Sequence, residues 1–188
     1  MVSGYKFKNR TQLDTAVELW VSDENSATTT YGDINTWDVS SITDFSELFK
    51  NKYRFDSDIS DWDVSNGNNF EAMFWRAFTF NQDIVDWDVS NGTNFKLMFS
   101  SAKEFDQDIG AWDVSDGTDF FYMFAGARNF NKDIGAWDVA KATDFGGMFA
   151  YASKFNQDIG DWDVSNGNNF SKMFWNNRSF NQDLSSWD

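Results

Sequence analysis

Seven aspartates, Asp38, Asp63, Asp88, Asp113, Asp138, Asp163 and Asp188, stand 25 residues apart, each directly after a tryptophan. A second column runs five residues earlier through Asp33, Asp58, Asp83, Asp108, Asp133, Asp158 and Asp183. Rows of carboxylates can do three kinds of chemistry. They can ligate a hard cation, for which calcium is the natural match to oxygen donors. They can work in pairs as acid and nucleophile in glycoside hydrolysis, for which Asp61 with Asp63 or Asp86 with Asp88 would serve. Or they can present an anionic strip to a basic or polyhydroxylated partner. Catalysis normally singles out one carboxyl in an apolar pocket, whereas here every repeat carries the same Asp, so no enzyme is expected. Neither a calcium-binding nonapeptide repeat nor an Asp-x-Asp-x-Asp-Gly loop occurs, so no cofactor is expected and calcium on the Asp columns is the weaker alternative. The columns also admit a structural reading, in which each carboxylate accepts hydrogen bonds from backbone N–H groups of the next repeat.

The rest of the composition narrows the chemistry further. The chain has no Cys and no His, hence no thiolate and no imidazole base. Thirty acidic residues against fifteen basic ones give a net charge of −15, which argues against nucleic acid and against an anionic membrane surface. No apolar run approaches the ~20 residues of a membrane span, and "MVSGYKFKNR" has no signal-like apolar stretch. Pro is absent too, so turns must rest on Gly, Asn and Asp.

The elements that position the aspartates repeat with them. Trp37, Trp62, Trp87, Trp112, Trp137, Trp162 and Trp187 keep the same 25-residue step, as do the columns beginning at Phe45 and Phe55. An uninterrupted period of this length is a stacking signature, because one unit cannot bury its apolar face alone. Within a unit, Ile109, Trp112 and Val114 read as a short bent strand. Phe120, Met123, Phe124 and Ala127, at i, i+3, i+4 and i+7, read as a short helix. "SNG" or "SDG" makes the turn between them, and Thr93, Thr118 or Thr143 would cap the helix. The expected fold is an α/β solenoid: a right-handed stack of about six 25-residue strand–turn–short helix units. Residues 1–30 are expected to form an N-terminal cap with a "YKFK" strand and an amphipathic helix over Thr11–Val21. Leu13, Ala16, Val17 and Trp20 would line its inner face, and Thr11 with Asp14 would make a capping box. Residues 31–188 would be the repeats, the last one incomplete. That end reads as a fragment boundary, as a bare end, or as a stacking contact with another chain.

Ile-x-x-Trp-x-Val has the spacing of the leucine-rich-repeat strand, and "FNQDIGDWDVSNGNNFSKMF" (Phe155 to Phe174) resembles the BspA-like bacterial surface-protein repeat. The resemblance covers about Tyr31 to Asp188. It departs from the usual pattern in placing Phe45, Phe70 and their equivalents where Met is usual, and Gly67, Gly92, Gly117 and Gly167 where an apolar residue is usual. It implies a leucine-rich-repeat-like fold and an adhesive or host-surface role, in a family found on bacterial surfaces, in marine protists and in their large viruses.

These readings converge on a non-enzymatic surface scaffold whose strand face presents Asp63, Asp88, Asp113, Asp138 and Asp163 to a protein or glycan. Asp113 and Asp138 are expected to be least obstructed, beside Gly110, Ala111, Gly135 and Ala136. The rival expectation is a structural stacking module of a shell, fibre or virion. On the helix side, Trp75 and Trp175 sit where other units place Ser100, Ala125 and Tyr151, marking Trp75, Tyr151 and Trp175 as an interface candidate. A cell-surface, extracellular or virion location follows only from the resemblance.

Overall fold

The computed structural model describes residues 4–187. Asn9 opens the first helix, α1 (Arg10–Ser22), by accepting the Gln12 amide on its side chain. The cap is therefore Asn9, not the expected Thr11. Leu13, Ala16, Val17 and Trp20 are buried along one face, as their spacing predicts. Asp23 ends α1 and caps α2 (Glu24–Tyr31) through the Ser26 amide. A 3₁₀ turn follows at Ile34–Thr36.

From there on the backbone is built almost wholly of turns, and the expected α/β solenoid of strand–turn–helix units is not what the chain forms. Among the described residues no repeat contains a helix or an extended strand. Strand-like pairing is limited to isolated parallel bridges, at Lys6 with Asp38 and along Asp44, Asn69, Asn94, Asp119, Asp144 and Asn169. The "YKFK" strand reduces to the first of these.

The segment expected to be helical is a run of overlapping four-residue turns. Leu48, Lys50 and Lys52 donate to the carbonyls of Phe45, Glu47 and Phe49, three residues back each time. Every fourth residue is left-handed, as at Glu47 and Asn51, Leu97 and Ser101, or Tyr122 and Gly126, with φ between 54° and 71° in the second and third of these pairs. This geometry turns alternate amides out of the coil and toward the next one. Phe95, Leu97, Phe99 and Ser101 donate to the carbonyls of Asp119, Phe121, Met123 and Ala125. The same four bonds recur at each step from the Phe45 run to the Phe145 run, so successive 25-residue coils lie directly on one another. We call these runs turn ladders.

The threonines have a different task from the one expected. Thr93, Thr118 and Thr143 cap no helix. Each donates its amide to the equivalent carbonyl one coil back, Asn68, Thr93 and Thr118 respectively. Their hydroxyls donate to the same carbonyls.

Aromatic columns fill the interior. Phe70 stacks on Phe95 with centroids 5.6 Å apart, and Phe74 on Phe99 at 5.5 Å. Within each coil a pair such as Phe99 and Phe105 lies face to face at 3.9 Å. Such pairs add roughly 0.5–1.5 kcal/mol each beyond burial. The tryptophans do more than fill space. Each indole Nε1 of Trp62, Trp87, Trp112, Trp137 and Trp162 donates, in the buried interior, to the carbonyl of the isoleucine 28 residues earlier. Trp137 and Trp162 stack at 6.5 Å with an interplanar angle of 3°.

The departures in the Phe and Gly columns are one feature. A Cβ on Gly67, Gly92 or Gly117 would lie 2.4–2.6 Å from the Cζ of Phe70, Phe95 or Phe120 three residues on. In these coils the ring lies across the space that a side chain on the glycine would fill. Where Ala142 stands in the glycine column, the Phe120–Phe145 separation is 6.1 Å, against 5.4 Å for Phe95–Phe120.

At the N-terminal end, α1 takes the place of a preceding coil. The Arg10 guanidinium donates to the carbonyls of Asp44 and Ser46, the positions that elsewhere accept from a neighbouring ladder. Trp20 meets Trp37 edge-on at 5.8 Å and donates to the Ser57 hydroxyl.

Candidate functional site

The aspartate columns occupy the corners of the coils. Asp63, Asp88, Asp113, Asp138 and Asp163 are exposed. In each, Oδ1 accepts the amide of the residue two positions on, at 3.0–3.1 Å. This closes an Asx turn, which explains why a small carbonyl-bearing side chain stands there. Ser65 and Ser90 add their hydroxyls to the same oxygen at 2.6 Å. The second oxygen, Oδ2, has no hydrogen-bond or ion-pair partner among the described residues in any of the five. The Ser90 hydroxyl and then its amide hold the Asp88 carboxyl below its ordinary range. Ser115 and Ser165 do the same for Asp113 and Asp163.

The second column works in the same way: Asp83, Asp108, Asp133 and Asp158 accept the amides of Val85, Gly110, Gly135 and Gly160. Neither column forms the expected ladder to the next coil's backbone. That ladder exists two residues before the second column, where the sequence reading did not place it. The side-chain oxygens of Asp56, Asn81, Asp106, Asn131 and Asn156 accept the amides of Asn81, Asp106, Asn131, Asn156 and Asn181. Its signal was the Asn or Asp after each Phe of the Phe55 column.

Asp113 and Asp138 have a cation beside them. Lys141 pairs with Asp116 at 2.5 Å and is pushed up by Asp116 first, then by Asp138 and Asp113. Gly110 and Gly135 do not serve to clear the surface around them. A Cβ there would lie 2.4 Å and 2.6 Å from the carbonyl oxygens of Asp133 and Asp158 in the following coil. An acidic hollow of about 680 Å³ lies at the N-terminal end, lined by Asn35, Asp38, Asp61 and Asp63 among others. Among the described residues no three carboxylates converge as a metal shell, and no helix is long and apolar enough to cross a membrane.

The opposite, turn-ladder face carries the reverse charge. Ten of the fifteen Lys and Arg residues lie in the six ladder segments (45–54 and its equivalents), against only Glu47, Glu71 and Glu104. Trp75 is flanked by Lys50 Nζ at 4.9 Å and the Arg76 guanidinium at 5.0 Å. Trp175 is 51% exposed, with Lys172 at 4.9 Å and Tyr151 at 5.3 Å between centroids. Tyr151 stands one residue off the tryptophan column, whose member in that coil is Ala150.

No curated protein and no solved structure matches the chain. A family described as "Mycoplasma protein of unknown function, DUF285" matches over residues 21–129 and again over 109–188. Those two spans together take in nearly all of the stacked coils, and the chain belongs to the DUF285 family.

Proposed function

We propose that the chain is a non-enzymatic binding scaffold whose corner aspartates meet a partner that brings cationic groups. One observation carries this reading. Asp63, Asp88, Asp113, Asp138 and Asp163 are each fixed by Oδ1 in an Asx turn, which leaves Oδ2 free and the row pre-ordered at constant spacing. Ordering charged side chains before binding removes part of the entropic cost of association. The BspA-like resemblance supports a surface-displayed, adhesive setting for such a row.

The test is substitution of all five by Asn. An amide oxygen still accepts the turn amide, so the coils keep their corners while the charge is removed. A Lys-rich peptide on a sensor surface should bind the native protein in a salt-dependent manner and fail to bind the variant, with the urea midpoint unchanged. Equal binding by the variant sinks the proposal.

A further inference from the structure

The repeat is broken at one place on the turn-ladder face, away from the aspartates. In the column holding Trp75 and Trp175, the intervening residues are Ser100, Ala125 and Ala150; in the next column, Arg76 and Tyr151 are separated by Ser101 and Gly126. Large side chains give way to small ones over the middle coils, and a cavity of about 300 Å³ opens there. Ser101 and Gly126, the aromatic Tyr122 and Tyr151, and the cationic Lys103 and Arg128 line it. Gly126 sits at φ 71°, and a Cβ there would lie 3.3 Å from the Ser101 hydroxyl. Gly147 is bare because the Tyr122 ring lies across it, 2.6 Å from where a Cβ would be. Lys103 is already held over the Phe78 ring at 3.8 Å. Arg128 is exposed and makes no ion pair among the described residues.

We infer that this cavity binds a short acidic saccharide, one sugar face lying on a tyrosine ring and its carboxylate meeting Arg128. Three observations select this chemistry. The backbone here cannot recruit a peptide strand, because the amides of Phe99, Ser101, Phe124 and Gly126 are all donated to the next coil and strand addition needs a free edge. Recognition must therefore come from rings, hydroxyls and cations. The guanidinium fork matches one carboxylate in a bidentate manner. A chain of net charge −15 repels a dense polyanion, so a ligand of low charge suits it better than a nucleic acid or a heavily sulfated polymer. The volume is at the small end for ligand sites, which fits one or two sugar units. Trp75 and Trp175 stand four coils apart, about 19 Å at roughly 4.8 Å per step, and mark the reach of a longer chain.

The site is independent of the aspartate row, and the two proposals fail separately. The experiment is an amide-detected NMR titration of the full chain with a disaccharide of glucuronic acid and N-acetylglucosamine, taken to about ten times a 1 mM dissociation constant. A neutral disaccharide and an acetylated Gly-Asp dipeptide are run alongside. Saturable shifts centred on Ser101 and Gly126 are expected with the acidic sugar alone. Arg128→Gln and Tyr151→Ala both change exposed side chains, and each should weaken binding roughly tenfold. The Asp→Asn variant above should bind as the native protein does. No saturation, retained affinity in both variants, equal binding of the neutral sugar, or preference for the dipeptide each overturns the inference.

Discussion

Replacing Trp112 by Phe tests the interaction that ties one coil to the next. The ring is 4% exposed and its Nε1 donates at 3.1 Å to the carbonyl of Ile84 in the preceding coil. That carbonyl also accepts the Trp87 amide at 3.2 Å, so the substitution leaves it with one partner rather than none. The loss is then that of an ordinary hydrogen bond, about 0.5–1.5 kcal/mol. To this is added the burial of the missing ring atoms, worth about 2 kcal/mol at roughly 0.8 per methylene-sized group. The expected destabilisation is about 2.5–3.5 kcal/mol, measured by urea unfolding with the slope unchanged. A benzothienyl analogue of tryptophan keeps the shape and removes the N–H, and should lose only the hydrogen-bond share. Trp175→Phe, on the surface, should stay within about 0.5 kcal/mol. A loss below about 1 kcal/mol for Trp112→Phe would falsify the view that the indole ladder holds the coils in register.

Gly92→Ala should cost about 1–3 kcal/mol by overpacking, since its Cβ would lie 2.4 Å from Phe95 Cζ; Gly92→Ala combined with Phe95→Leu should recover part of that loss in thermal melts. Asp119 is half-buried and its carboxyl is raised, by burial first, with the Asp144 charge adding to it. Its charged form is disfavoured in the fold, so it weakens stability above its raised pKa and not in acid. Asp119→Asn, which copies Asn94 and Asn169 in the same column, should raise the urea midpoint at neutral pH and leave it unchanged at acid pH. Ser101 sits at φ 61°, and Ser101→Gly should stabilise by up to about 1 kcal/mol as left-handed strain is relieved against greater chain entropy. For Asp88 the shift is downward, so the stabilisation from Ser90 is present above the ordinary carboxylate range and fades as pH falls through the lowered folded value. Ser90→Ala should move the Asp88 titration back up, read by carboxyl-carbon NMR.

The stacking and the inward columns were legible in the sequence, and the backbone that carries them was not. Phe120, Met123, Phe124 and Ala127 are all fully buried, as the i, i+3, i+4, i+7 pattern demands. Overlapping turns with a left-handed residue every fourth position return side chains to one side with a period of four. Over seven residues that cannot be told from the 3.6 of a helix. The distinguishing sign is a residue that tolerates positive φ at those positions. Asn51, Gly126, Gly147 and Asn176 carry it, but Leu97, Tyr122 and Lys172 occupy equivalent places and hide it. The strand reading failed for a related reason. Ile109, Trp112 and Val114 do point inward, but the Trp112 amide turns back to the Ile109 carbonyl, and spacings of +3 and +5 suit a corner better than an extended segment.

Turn ladders give the stack a polarity that a helix would not have given in this direction. Each ladder from Phe45 to Phe145 donates alternate amides to carbonyls of the following coil, so those peptide dipoles line up along the stack rather than along the chain. The carbonyl end is the negative one, and it is there that Arg10 places its guanidinium against Asp44 and Ser46. Arg10 also pairs with Asp14 at 2.7 Å, which aims the side chain from α1 onto the first coil. A cation with several donors is what such an end requires, for the reason that cations favour the carbonyl end of a helix. Arg10→Lys keeps the charge but cannot donate to two carbonyls in a fixed fork. Hydrogen exchange should then rise at the first ladder, Phe45 to Asn51, and stay unchanged at Phe120 to Gly126. Equal protection at both would mean that α1 closes the stack by its apolar face alone.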